Sequence, residues 1–187
     1  MQPGMATVRE VSPMTDRKPE KVGAGTTAGI SVGPARGDDL RDFIALCELW
    51  ADEFAGGDQD FSADKAGAMF MFLIESGCVL VARDGQQAIG LISGMAVERW
   101  FSSELVVMPF AVYLMPQYRD GAVGDMLVMA FQEWAVGQGA SCVEIIMLGG
   151  GFAAAFAGAI ERAGFGRIGQ AYGWRPGVAP NAETDRH

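Results

Sequence analysis

The segment Val112-Tyr113-Leu114-Met115-Pro116-Gln117-Tyr118-Arg119-Asp120-Gly121-Ala122-Val123-Gly124 reads as an apolar strand, a turn and the start of a helix. Where a turn feeds a helix, several backbone N–H groups point at one spot without intrahelical acceptors, and the macrodipole leaves roughly +0.5 charge there. That arrangement favours a phosphate or pyrophosphate, and small residues in the turn let such a group approach the backbone. Neither the dinucleotide G-x-G-x-x-G pattern nor Walker A is present, so those phosphate sites are not supported. The only histidine is His187, the last residue, which effectively excludes Ser-His-Asp, Cys-His and His-metal centres. Cys47, Cys78 and Cys142 lie far apart in apolar surroundings without a C-x-x-C pair and read as reduced core residues; no metal site is expected. Three phenols, Tyr113, Tyr118 and Tyr172, have the chemistry of a general acid, with Tyr172 marginally favoured and aromatic packing the competing explanation for each.

Positioning that turn requires an ordered set of elements. Ile30 and Val32 alternate as a short first strand, and Gly37-Asp38-Asp39 starts a helix whose stripe is Leu40, Phe43, Ile44, Cys47, Trp50, Ala51 and Phe54. After Gly56-Gly57, Ser62 is the N-cap of a second helix carrying Ala66, Met69, Phe70, Leu73 and Ile74, with Gly77 as its C′ residue. The run Met69-Phe70-Met71-Phe72 reads as core, with a partner surface the lesser alternative. Residues 78–83 form a strand, Asp84-Gly85 marks a two-residue hairpin, and residues 87–97 return. Residues 104–115 make a further strand in which Pro109 requires an edge position, a bulge or a late start. Val123, Leu127, Ala130, Phe131 and Trp134 form the next helical stripe, residues 141–148 a buried strand, residues 152–163 an alanine-rich helix, and Gly164 onward through Ile168, Ala171, Tyr172 and Trp174 a final extended region. The order β-α-α-β-β-β-α-β-α-β is that of an α/β protein with a mixed sheet and flanking helices. Residues 1–28 read as a flexible leader, 29–176 as one domain and 177–187 as a flexible tail.

The turn resembles the coenzyme A-binding motif of the GNAT superfamily of acyl-coenzyme A-dependent N-acyltransferases: Arg or Gln, two variable residues, Gly, one variable residue, then Gly or Ala. Arg119 and Gly124 match its ends, Ala122 stands at the central glycine with Gly121 beside it, and Leu114 to Arg119 follows the family's apolar-x-Pro-x-Tyr-Arg pattern. The resemblance, extended by element order, implies a GNAT-like domain using acetyl-CoA as co-substrate. Main-chain groups of Val112, Tyr113 and Leu114 would then pair with the pantetheine arm. Arg119 and the N–H groups of Asp120, Gly121, Ala122, Val123, Gly124 and Asp125 would form the pyrophosphate end. It further implies Glu98 or Glu104, at the ends of central strands, as the base that takes the amine proton through water, against the plain reading of solvated charges. Asp58 and Asp60 fall where the family's acceptor amine is commonly bordered, although a flexible acidic loop is the default explanation for them. Ile160-Glu161-Arg162-Ala163-Gly164-Phe165 resembles the family's Tyr-Glu-Lys-Leu-Gly-Phe segment, with Ile160 in place of the tyrosine that often protonates the thiolate, and Ala153 in place of a frequent asparagine.

The expected reaction is transfer of an acetyl or related acyl group to a primary amine, on a small molecule or a protein N-terminus, by direct attack. The alternatives are a non-catalytic interaction module on the same scaffold and binding of another acyl or phosphate ligand without transfer. A formal charge of −9 opposes nucleic-acid binding. The longest uncharged run, residues 145–160, contains four glycines and falls short of the ~20 apolar residues that span a bilayer. No secretory signal begins the chain, and a cytoplasmic protein without membrane contact is expected, with a homodimer allowed.

Overall fold

The computed structural model describes residues 25–27, 29–55, 60–146 and 151–169. Among them, six strands form one sheet in chain order: β1 (Gly25–Thr27), β2 (Ile30–Pro34), β3 (Cys78–Asp84), β4 (Gln87–Glu98), β5 (Leu105–Leu114) and β6 (Cys142–Val143). The first four pairings are antiparallel and the β5–β6 pairing is parallel, so the sheet is mixed, as expected. Four α-helices accompany it: α1 (Leu40–Ala55), α2 (Ala63–Ser76), α3 (Val123–Gly137) and α4 (Gly151–Arg162).

The helices form where sequence stripes meet caps. A short 3-10 turn, Gly37–Asp39, leads into α1, and the Arg36 N–H donates to Asp39 Oδ2 at 2.6 Å. Ser62 caps α2 by accepting from the Lys65 N–H at 3.4 Å. One sheet face packs Phe43, Leu46, Cys47, Phe70 and Leu73 against Val79, Val81 and Leu91. The other packs Leu127, Phe131, Trp134 and Phe156 against Leu80, Ile92, Val107 and Leu114. Each large side chain fully buried in these layers contributes about 1.5–3 kcal/mol.

Several expectations change. Residues 25–27, which the sequence did not single out as a strand, pair with β2 across a turn in which Gly29 has φ 91°. Of Met69-Phe70-Met71-Phe72 only Phe70 is core; the helical period turns the other three outward, and all are exposed. The hairpin turn is Gly85-Gln86, one residue beyond Asp84-Gly85, since Asp84 pairs with Gln87. Gly77 ends α2 with φ −144° rather than a left-handed φ; glycine is required there because a Cβ would lie 2.5 Å from the Gly94 carbonyl oxygen. The strand expected over residues 141–148 shortens to the half-buried Cys142–Val143, residues 144–146 have no regular structure, and residues 147–148 lie outside the described residues. Residues 165–169 likewise have no regular structure, and Ala171, Tyr172 and Trp174 lie outside the described residues.

Pro109 takes the bulge among its expected roles. Ser93 faces Ala111 and Gly94 faces Pro109, which leaves Phe110 as the extra residue on β5. The close strand approach depends on Gly94, where a Cβ would sit 2.4 Å from Met108 O, 2.8 Å from Phe131 Cζ and 2.9 Å from Pro109 Cα. Beyond Val107, which pairs with Val143, no further β5–β6 pair occurs among the described residues. The bulge bends β5 where its neighbour stops following it.

Candidate functional site

The opened edge of β5 leads straight into the turn singled out in the sequence. The Met115 N–H donates to Ile89 O at 2.9 Å, which fixes the alternation along the β4–β5 ladder. Tyr113 therefore directs its N–H and C=O toward β4, while Val112 and Leu114 direct theirs to the opposite side of β5. The Leu114 carbonyl accepts from Arg119 Nε at 2.8 Å. Tyr113 is thus committed to the β4 pairing, whereas the Leu114 N–H and both main-chain groups of Val112 have no ladder partner among the described residues.

After Leu114 the chain makes a 3-10 turn, Pro116–Tyr118, and enters α3 with Ala122 as N-cap. The Met126 N–H donates to Ala122 O at 3.0 Å as the first helical bond. Among the described residues, none of the backbone N–H groups of Asp120, Gly121, Ala122, Val123, Gly124 and Asp125 has a protein acceptor. Asp120, Gly121 and Ala122 are exposed, whereas Val123 and Gly124 are buried, so the cluster faces solvent at its N-terminal half. Gly124 serves helix packing instead: a Cβ there would meet Ala159 Cβ at 3.4 Å and Phe156 at 3.6 Å on α4.

Side chains around the turn are distributed in a way the motif does not convey. Arg119 Nη1 and Nη2 donate to Glu53 Oε1 and Oε2 at 2.8 and 2.6 Å, and its guanidinium lies 5.6 Å from the Tyr113 ring centre. Arg162 Nε and Nη2 grip the Asp125 carboxylate at 2.8–3.2 Å, turning that charge toward α4. Asp120 is exposed and has no ion-pair partner among the described residues. Neither Glu53, sixty-six residues from Arg119, nor Arg162, thirty-seven from Asp125, is signalled by spacing. The Glu-Arg in the segment ending at Phe165 was the one visible hint of the second pair.

The candidate acid-base groups separate into engaged and available ones. Arg99 Nε donates to Glu104 Oε2 at 2.6 Å, Arg99 also bonds Glu144, and Ser141 Oγ donates to Glu104 Oε1 at 3.0 Å. The Arg99 and Ser141 hydrogen bonds hold the Glu104 carboxyl below its ordinary range, so Glu104 is a weak base that ties the β4–β5 connection to β6. Glu98, at the end of β4, is exposed and has no hydrogen-bond or ion-pair partner among the described residues. Tyr118 OH donates to Asp84 Oδ2 at 3.0 Å, and that bond raises its phenol. Burial, then the Glu53 charge, raises the Tyr113 phenol. Tyr172 and Asp58 lie outside the described residues, and Asp60 is exposed. Ile160 packs half-buried against the α3 side of the core. Among the described residues no group of His, Cys, Asp and Glu could hold a metal ion, and no helix is long and apolar enough to cross a membrane.

No protein-family model and no curated protein sequence matches the chain. Solved structures do match its shape. An integron cassette protein from the mobile metagenome of Cole Harbour Salt Marsh has a TM-score of 0.63 at 16% identity, covering 80% of this chain and 91% of that one. The aminoglycoside acetyltransferase AAC(6')-Iy, solved with the bisubstrate analogue CoA-S-monomethyl-acetylneamine, has a TM-score of 0.62 at 16% identity, covering 78% and 97%. This chain has the GNAT fold. An aminoglycoside acetyltransferase from an uncultured soil metagenomic sample, in complex with sisomicin, agrees at a TM-score of 0.60 and 15% identity, covering 79% and 97%. At these identities the likeness concerns the GNAT fold alone, with its opened strand and following helix, and leaves the chemistry to the residues present.

Proposed function

We propose that the chain binds acyl-coenzyme A at the β5–α3 turn and transfers an acetyl or related acyl group to a primary amine. The observation that carries this reading is the run of six amides, residues 120–125, that have no acceptor among the described residues and follow directly on the end of β5. These N–H groups would receive the pyrophosphate, and the outward groups of Val112 with the Leu114 N–H would align the pantetheine arm. Asp125 is neutralised by Arg162 and so repels that anion less than the bare sequence implies.

In the reaction a neutral amine nitrogen attacks the thioester carbonyl carbon; the C–N bond forms, the C–S bond breaks, and the amine's proton ends on the thiolate. Glu98, the carboxylate without a partner, is the proposed base through water, while Glu104 is the weaker candidate. Tyr172 or water supplies the proton, since Ile160 cannot. Positioning does most of the work. The acceptor is proposed to be an amine-bearing small molecule, as the neighbours solved with an acetylneamine conjugate and with sisomicin encourage, or a protein N-terminus. A cytoplasmic location, where acetyl-CoA is available, fits this reading.

A second reading, a non-catalytic module on the same scaffold, is favoured by Ile160 packing into the core where an acid would stand. Millimolar acetyl-CoA should raise the melting temperature under the first reading, and failure to do so would remove it. Thiol release with any amine of a panel separates transfer from binding alone.

A further inference from the structure

Arg119 opens the phosphate-binding motif, yet its guanidinium is turned into the protein. Its side chain is 11% exposed. Nε bonds the Leu114 carbonyl at the end of β5, both terminal nitrogens grip Glu53, and the plane lies over Tyr113. Glu53 sits in the last turns of α1, a helix whose Phe43, Leu46 and Cys47 are anchored in the core shared with β3, β4 and β5. The residue next along the chain, Asp120, begins the run of six unpaired amides.

We infer that Glu53 is a positioning residue of the cofactor site: by fixing Arg119 on the α1 wall, it sets the direction in which the backbone N–H groups of residues 120–125 project. This rests on the acyl-coenzyme A reading above. A fork-to-fork Arg–carboxylate pair constrains orientation as well as distance, which a single hydrogen bond does not. Removing one acceptor oxygen leaves a nearly buried guanidinium short of partners, and the cheapest relief is for Arg119 to swing and carry the adjoining backbone with it. The turn does not then collapse, because Tyr118 is tethered separately to Asp84 and the Arg119 N–H to Pro116 O at 3.3 Å. Glu53 touches no ligand in this scheme; it acts through Arg119 on donors that only a pyrophosphate engages.

The test compares coenzyme A with a ligand that stops short of that group. Coenzyme A and pantetheine, which lacks the pyrophosphate and the 3′-phosphoadenosine beyond it, are titrated by NMR into the wild-type chain, Glu53→Gln and Glu53→Asp. Glu53→Gln should weaken coenzyme A about tenfold and leave pantetheine within about twofold, the size expected for losing one charge-assisted bond at a preorganised site. Glu53→Asp keeps the charge and the carboxylate fork but is one methylene shorter and reaches Arg119 less well, so about a threefold loss, again confined to coenzyme A, is expected; it gives the reading by itself if Glu53→Gln fails to fold. Equal losses for both ligands would mean that Glu53 only holds the fold together. Unchanged or tighter coenzyme A binding by Glu53→Gln would overturn the proposal too, because a released Arg119 would then serve the phosphates as well or better. Wild-type protein that binds pantetheine but gains nothing from the pyrophosphate overturns the functional reading of the turn and this proposal with it.

Discussion

Replacing Gly94 by alanine should destabilise the protein while the same change at Gly33 should not. A Cβ on Gly94 would lie 2.4 Å from Met108 O and 2.9 Å from Pro109 Cα, both backbone atoms, and 2.8 Å from the buried Phe131 ring. Backbone cannot rotate aside, so β4 and β5 must separate at the bulge, an overpacking cost of about 1–3 kcal/mol or somewhat more. The entropic gain of alanine over glycine in a strand offsets about 0.5–1 kcal/mol, leaving a net loss near 1 kcal/mol. For a chain of this size that lowers the melting temperature by about 2–4 °C. Gly33, on β2, has nothing within 4 Å of an added Cβ, so Gly33→Ala should gain about 0.5 kcal/mol. Urea unfolding and thermal melts followed by circular dichroism measure both. If Gly94→Ala melts with Gly33→Ala, the bulge is not held by close backbone contact, and the explanation of why β5 opens is wrong.

Further outcomes follow from the site. Arg162→Ala leaves the Asp125 carboxylate unpaired beside the proposed anion site, so coenzyme A should bind a few-fold more weakly at low salt, and Asp125→Asn in the same chain should restore it. Ile160→Tyr places a phenol at the position that resembles the family's general acid and should raise the rate of thiol release, read with a thiol reagent at saturating acetyl-CoA. Glu104 is held below its ordinary value of 4.5 by Arg99 and Ser141, so its contribution to stability is present above that value and lost as pH falls through the lowered one. Glu104→Gln should therefore be less stable than wild type at pH 7, with the difference shrinking as pH falls below the ordinary 4.5 in acid unfolding curves. Burial pushes the Cys47 and Cys78 thiols up to about 12, so both should resist a disulfide reagent at pH 8 until denaturant is added.

The helices and the central hairpins were legible because their apolar residues recur at one period and end at recognisable caps. Ser62, for example, both caps α2 and precedes the Phe70-Leu73 stripe. The turn between β5 and α3 was legible for the same local reason, as Pro116 to Gly124 carries its own stop and start. What escaped was set by partners distant in the chain. β1 exists because β2 offers an edge, a fact that residues 25–27 do not contain. The short β6 follows from the bulge at Phe110, and that bulge depends on Gly94, sixteen positions earlier. The exposure of Met69, Met71 and Phe72 was misread by treating an unbroken apolar run as core when only one face of a helix can be. Arg119 and Asp125 showed their types but not their directions, since Glu53 and Arg162 reach them from other helices.

The central claim concerns the amides of residues 120–125, and the backbone resonances of a nitrogen-15-labelled sample report on them directly. Addition of coenzyme A to saturation should shift the Asp120 to Asp125 N–H signals downfield as a group, while pantetheine should move Val112 and Leu114 and leave the six nearly still. Saturating coenzyme A that leaves all six unmoved would contradict the account.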